Sequence, residues 1–258
     1  MDEAAVRVER RGGVVRCTLN RPPLNLFEPG LIGALCSTFT TLAADRTVRV
    51  AILTGAGRAF TAGMNVHVLR DLDAEGATAL ITSLHDAIDA VHRAPFPVIA
   101  AVNGAALGAG FELALACDLR LAAAGALFGL PEVRVGVPSV IQAALLPPLV
   151  GPGRAADLLL TGRTIGAEEA LAWGLVNRVV AVADLDAAVS EVVDTLLGCA
   201  PTAVRLQKEL IVRWRESALP DAVRAGIAAF AAAYRTGEPR EGAAAFLDKR
   251  PPRFEAPR

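Results

Sequence analysis

PFPVIAAVNGAALGAGFELALACD (95–118) is the stretch whose reading decides the fold. PFPVIAAVNG (95–104) is a continuous apolar run bounded by proline and glycine, the signature of a strand buried on both faces. A small-residue, glycine-rich stretch follows and leads into a helix predicted near Gly108–Ala116. Strand, glycine turn and helix in immediate succession are the unit of an α/β fold. One residue breaks the apolar pattern: Glu112. A carboxylate is rarely buried, because loss of hydration is costly unless partners or a raised pKa compensate. Two readings of Glu112 fit this stretch alone, a side chain reaching water from a helix edge and a functional acid.

Working outward, Val6–Val8 and Val14–Leu19 read as strands separated by the turn signal Gly12-Gly13. Helical periodicity covers Leu31–Ala44 and Ala77–His92, and VRVAILTG (48–55) is a second buried-strand run. Leu119–Ala123 reads as a strand, followed by a loop through Gly129-Leu130-Pro131-Glu132. From Ser139 onward helical patterns dominate, apart from a short strand near Arg178–Val182. The pattern predicts an α/β core with an all-helical C-terminal appendage, packed on the core or on a neighbouring subunit. No repeat or linker-like stretch divides the chain.

At 258 residues, 53% of them hydrophobic, the chain can bury a substantial core. The formal net charge of −1, with acids and bases interleaved, offers no electrostatic case for nucleic acid. No uninterrupted apolar run approaches the ~20 residues of a membrane helix. MDEAAVRVERR at the N-terminus lacks the apolar core of a signal peptide, which predicts a cytoplasmic protein. Cys17, Cys36, Cys117 and Cys199 show no metal-ligand spacing and read as free thiols. His67, His85 and His92 fall in one predicted helical region, and without a third ligand they read as solvated histidines rather than a metal site. The only lysines are Lys208 and Lys249. GAGRAF (55–60) and GAALGAGFE (104–112) match neither G-x-G-x-x-G nor the P-loop, and G-x-S-x-G is absent.

Two features carry chemistry. Ala62-Gly63-Met64-Asn65 and Gly108-Ala109-Gly110 are glycine-rich turns that each follow a buried strand. Small residues there leave amide N–H groups open to a ligand, and Ala109, if it starts a helix, carries an orphan donor backed by the helix dipole. Two such donors aimed at one point would hold an oxyanion; tight strand-to-helix connections would look the same. The second feature is the pair Glu112 and Glu132, which can serve as acid and base if their environments separate their pKa values. Taken alone, Glu132 reads as a surface loop residue.

Six blocks in order go further. TLNRPPLNLF (18–27), GRAFTAGMNV (57–66), PVIAAVNGAALGAGFELALACDLRLA (97–122), FGLPEVRVGVPS (128–139), TGRTIGAEEALAWGLVNRVV (161–180) and REGAAAFLDKRPPRF (240–254) resemble the crotonase family, the enoyl-CoA hydratase/isomerase superfamily. The resemblance implies a spiral of ββα units over residues 1–195 and a helical trimerisation region over 196–258. It implies a homotrimer or dimer of trimers and an acyl-CoA substrate, with coenzyme A part of the substrate and no separate cofactor or metal. It places the oxyanion hole on the backbone N–H groups of Ala62 and Ala109, and the two catalytic glutamates at Glu112 and Glu132. Substrate and CoA contacts fall to Leu24, Leu26, Ala62, Gly63, Met64 and Asn65, with Phe246 and Lys249 reaching the CoA of an adjacent subunit. Met64, His67, Leu130 and Val140 are candidates for the acyl pocket. Asn65 stands where many relatives carry aspartate, and VPSVIQAALLPPLVG (137–151) replaces a glycine-rich helix start near the water site. The implied activity is hydration of a trans-2-enoyl-CoA. The alternatives are an enoyl-CoA isomerase or other lyase or hydrolase of the superfamily, and a non-catalytic acyl-CoA-binding or scaffold protein.

Overall fold

A computed structural model describes residues 3–254; Met1, Asp2 and residues 255–258, the ends of the two expected regions, lie outside it. Among the described residues ten strands form two sheets. The first is six-stranded in the order β1 (Val6–Arg11), β2 (Val14–Leu19), β3 (Val50–Gly55), β5 (Val98–Val102), β7 (Leu119–Ala123) and β10 (Arg178–Val180). Only β1 runs antiparallel to its neighbour. The second is four-stranded: β4 (Ala59–Thr61), β6 (Ala105–Leu107), β8 (Leu127–Gly129) and β9 (Thr164–Gly166), with β4, β6 and β8 parallel. Strands β3 and β5 are buried along their whole length, as their unbroken apolar sequences require of parallel strands covered on both faces.

Helix α1 (Pro29–Ala44) buries Leu31, Ile32, Leu35, Phe39 and Leu42, the periodic apolar stripe of its sequence. Two helices follow β4: the short α2 (Val66–Arg70), and α3 (Ala74–His92), which starts where the Asp73 carboxylate accepts the Gly76 N–H at 2.7 Å. Helix α4 (Ala109–Ala116) is buried throughout and carries Glu112. Next come α5 (Leu146–Val150), α6 (Pro152–Thr161), α7 (Ala167–Ala172) and α8 (Leu185–Gly198). Helix α8 covers the open face of the first sheet, packing Leu185, Ala188, Val189 and Val193 on Val50, Ile52, Ile99, Ala101 and Leu121.

The C-terminal helices are α9 (Pro201–Glu216), α10 (Leu219–Ala233) and α11 (Glu238–Leu247). Lys208 pins α9 to the core. Its ammonium, 3% exposed, meets both oxygens of Asp118 at 2.7 and 2.8 Å, and Asp118 Oδ2 also accepts the Val98 N–H that opens β5. Removing one partner of such a buried pair costs about 3–5 kcal/mol, because the other charge is stranded. On α10, Leu219, Val223, Ile227 and Phe230, continued by Tyr234 at its C-cap, make an exposed apolar row at helical spacing. No single helix among the described residues is long and apolar enough to cross a membrane.

Three expectations need correction. The loop around Glu132 is instead strand β8 followed by a 3₁₀ turn, Pro131–Val135, and β9 is a further strand the helical reading missed; both strands have three residues, too few for a periodicity. The three histidines do not share a helix, since α2 holds His67 and α3 holds His85 and His92. Nor is His92 solvated: it is buried, with Nδ1 3.3 Å from Ala116 O, and burial holds its pKa below the ordinary imidazole value. Among the described residues no group of three or more His, Cys, Asp or Glu side chains has metal-binding geometry.

Candidate active site

The site lies beyond the C-terminal ends of β4, β6 and β8, where open α/β sheets place their ligands. Each parallel strand delivers one component. β4 runs into Ala62-Gly63-Met64, β6 into Gly108 and the start of α4, and β8 into the turn that carries Glu132. The first two turns are in close contact: a β-carbon on Gly63 would lie 2.7 Å from Leu107 O and 3.6 Å from Ala109 N. Gly63 has φ +88°, so the approach and the left-handed backbone both call for glycine.

Which amides are free differs from expectation. The Ala62 N–H donates to Leu24 O at 2.9 Å and is therefore committed to the protein. The Gly63 N–H donates to Thr61 Oγ1 at 3.2 Å, and the Asn65 N–H to Phe27 O at 3.0 Å. Among the described residues, the Met64 N–H has no acceptor, and neither has that of Ala109, the first residue of α4. The pair of open donors is thus Met64 and Ala109, not Ala62 and Ala109. The expectation failed because Ala62 is spent on a residue 38 positions away in sequence (62 − 24), which no local pattern reveals. Ala109 is not among the residues with positive φ, so its methyl group causes no backbone strain.

Both glutamates border the same cavity of about 450 Å³, together with Gly63, Met64, Gly108, Ala109 and Ser139. Its remaining wall is largely aliphatic, from Val66, Leu69 and Leu72 around α2, Leu80, Ile81 and Leu84 on α3, and Val135, Val137 and Val140. Arg134 also borders it but turns its Nε to Thr161 O at 3.1 Å.

Glu112 is 3% exposed, and its Oε1 accepts the Ala143 N–H at 2.9 Å. Burial pushes its pKa from 4.5 up to about 7; the Ala143 bond opposes that rise and the charge on Glu132 adds to it. Glu132 is half-buried, and Oε2 accepts the Ser139 hydroxyl at 2.8 Å. Burial raises its pKa too, while Ser139 opposes the rise. Its other oxygen rests against Gly108, where a β-carbon would come within 2.7 Å of Oε1. Glu112 therefore does not reach water at a helix edge but borders a cavity shared with a second acid.

Burying Glu112 has a measurable cost. With a folded pKa raised from 4.5 to about 7, the loss of stability accrues as pH climbs between those values and is complete above them, about 3 kcal/mol in all. Glu112→Gln keeps an acceptor for Ala143 and removes the charge. It should raise the unfolding free energy at pH 8 by about that amount and by little at pH 5. Chemical denaturation at the two pH values checks this, and an equal effect at both would contradict it.

The other anticipated residues divide. Leu24 contributes its carbonyl to Ala62, and Leu26 adjoins the backbone bridge between Phe27 and Met64; neither borders the cavity. Asn65 caps α2, accepting the His67 N–H at 3.1 Å, so this turn closes without an aspartate. Met64 and Val140 line the cavity as anticipated, whereas His67 and the buried Leu130 do not. Phe246 is 83% exposed, and neither it nor Lys249 borders this chain's cavity. Sequence reasoning missed Ser139, Ala143 and Asn25. Buried Asn25 ties the 21–27 turn to the Ala56, Ala59 and Phe60 carbonyls through Nδ2 at 2.9, 2.9 and 3.2 Å; an asparagine flanked by leucines was the available signal.

Known proteins match the chain along its length. The family model for enoyl-CoA hydratase/isomerase matches residues 9–257. A probable enoyl-CoA hydratase, echA8, of Mycobacterium bovis is 38% identical over 257 residues, covering 98% of this chain and 99% of that protein. A carnitinyl-CoA dehydratase of Salmonella arizonae is 36% identical, with 97% and 98% covered. The crystal structure of an enoyl-CoA hydratase from Bacillus anthracis superposes with a TM-score of 0.93 at 34% identity, covering 98% of this chain and all of that one.

Proposed function

The chain belongs to the enoyl-CoA hydratase/isomerase family, and from that premise we propose that it adds water across the 2,3-double bond of a trans-2-enoyl-CoA to give a 3-hydroxyacyl-CoA. One observation carries the reading: two acids in unequal environments share an apolar cavity with two unpaired backbone N–H groups. In this account the thioester oxygen accepts from Met64 and Ala109, which draws electron density away from C3. Glu132, as carboxylate, takes a proton from water as the oxygen bonds to C3, and negative charge collects on the thioester oxygen. Glu112, whose pKa burial raises to about 7, gives its proton to C2 as the carbonyl re-forms. Each acid ends in the other's starting state, and exchange with solvent restores both. Coenzyme A enters as part of the substrate, and no other cofactor or metal takes part in these steps.

The aliphatic wall supports an apolar acyl chain. The likeness to a carnitinyl-CoA dehydratase raises a second substrate, since dehydration is the same reaction reversed. A carnitinyl trimethylammonium calls for aromatic faces or spare carboxylates. Among the described residues the cavity wall offers no aromatic ring and no acid beyond Glu112 and Glu132, which favours the apolar substrate. The apolar row on α10 supports a homo-oligomer, trimer or dimer of trimers, with residues 196–258 as the assembling region; in such an assembly the exposed Phe246, together with Lys249, would be free to reach a neighbour's CoA.

The test is a panel of 2-enoyl-CoA and 3-enoyl-CoA thioesters of increasing length, with products identified by mass. The expected result is 3-hydroxyacyl-CoA from aliphatic 2-enoyl substrates. Double-bond migration without any hydroxyacyl product would select the isomerase, and binding without turnover would select a non-catalytic protein.

A further inference from the structure

In VIQAALLPPLVG (140–151) the one polar side chain is Gln142. It is 6% exposed, on a 3₁₀ turn, Ile141–Leu145, that packs against both α3 and α4. Its Nε2 lies 3.1 Å from Nδ1 of the half-buried His85 on α3. Among the described residues its Oε1 has no partner. Turning the amide over only exchanges its ends: one meets Nδ1 and the other is left alone. A buried amide satisfied at one end destabilises a fold relative to an apolar side chain of the same shape. What the amide supplies in return shows at the next residue. The Ala143 N–H is shared, bonding to Val140 O at 3.1 Å to close the turn and to Glu112 Oε1 at 2.9 Å.

We propose that Gln142 is a positioning residue: its amide, tied to His85, seats the turn on α3 so that the Ala143 N–H meets the Glu112 carboxylate. A 3₁₀ turn has poor hydrogen-bond geometry of its own, and this one has no side-chain cap, so its placement depends on its neighbours. The other side chains of the turn are aliphatic, and apolar packing is non-directional. A hydrogen bond has a preferred direction. Gln142 and Ala143, adjacent in sequence, thus tie the turn to α3 on one side and to Glu112 of α4 on the other. The link from Glu112 to turnover rests on the hydratase reading; the seating of the turn does not. Among the elements packed on α4, only α3 carries titratable groups: Glu75, His85, Asp86, Asp89 and His92. Glu132 and Arg134 border the shared cavity, and the Glu132 charge acts on Glu112.

The Ala143 bond holds the Glu112 pKa below the value that burial alone would give. Losing a hydrogen bond to a charged group shifts its titration by about one pH unit. Gln142→Met, similar in length but without the amide, and His85→Leu should each raise the Glu112 midpoint from about 7 by that amount. ¹³C NMR of the carboxyl, assigned with Glu112→Gln, reads the midpoint. The double variant should shift it no further, since both changes cut the same tie. His85→Asn, which has the shape of leucine and keeps a hydrogen-bonding atom near the place of Nδ1, should return the midpoint to about 7. The limb of the kcat/KM profile near pH 7 should move with the midpoint. A merely structural role would lower the unfolding free energy and leave the midpoint in place. If Gln142→Met does not fold, the Leu and Asn variants at position 85 decide by themselves. If the wild type hydrates no enoyl-CoA, the hydratase reading fails, while the NMR titration still decides whether Gln142 seats the turn. The inference is overturned if Gln142→Met and His85→Leu titrate as the wild type does, if their shifts add in the double variant, or if Leu and Asn at position 85 share one midpoint.

Discussion

Glu132→Gln is expected to lower kcat/KM for enoyl-CoA hydration by about 10²–10⁴-fold, the usual worth of a positioned proton-transfer group. The substitution is close to isosteric, and the glutamine oxygen can still accept from Ser139, so the fold and the position of the side chain should persist. What is lost is the ability to take a proton. In the proposed mechanism one acid acts charged and the other neutral, so the kcat/KM profile is expected to be bell-shaped. Its alkaline side falls near the Glu112 pKa of about 7, because raising the pH strips the proton that C2 must receive. Unchanged unfolding accompanied by undiminished turnover would remove Glu132 from the mechanism.

Ala109→Pro is expected to cost about 10²–10³ in kcat, the effect of deleting one oxyanion donor. The donor is main chain, so no side-chain truncation reaches it. Proline does, and Ala109 is the first residue of α4, where proline's fixed φ fits a helix and its missing N–H breaks no helical bond. The loss should therefore fall on turnover more than on stability. Ala109→Ser, which keeps the N–H, is the control and should retain most activity. Full activity in the proline variant, with its structure unchanged, would mean that this amide holds no developing charge.

Much of this architecture was legible where sequence is dense in local information. Val14–Leu19 and Leu119–Ala123 read correctly to the residue, because alternating or continuous apolar runs bounded by turn residues admit few other structures. Glu112 stood out for the same reason, as a lone charge in an apolar helix. What escaped depends on distant partners. The availability of an amide at Ala62 or Met64 turns on Leu24 O, and His92 is buried by the far side of α4. Ser139 reaches Glu132 only because a 3₁₀ turn and a left-handed Gly136 fold the chain back between them. Strands β8 and β9, at three residues each, exist through their pairing and leave no pattern of their own.

The central claim is that the Met64 and Ala109 amides converge on one thioester oxygen with Glu112 and Glu132 at its reacting carbons. A crystal structure with a bound, unreactive acyl-CoA thioester tests it most directly. The account predicts the carbonyl oxygen about 2.7–3.1 Å from both nitrogens, with the two carboxylates over C2 and C3. A thioester seated away from these amides, or facing only one of the acids, would contradict it.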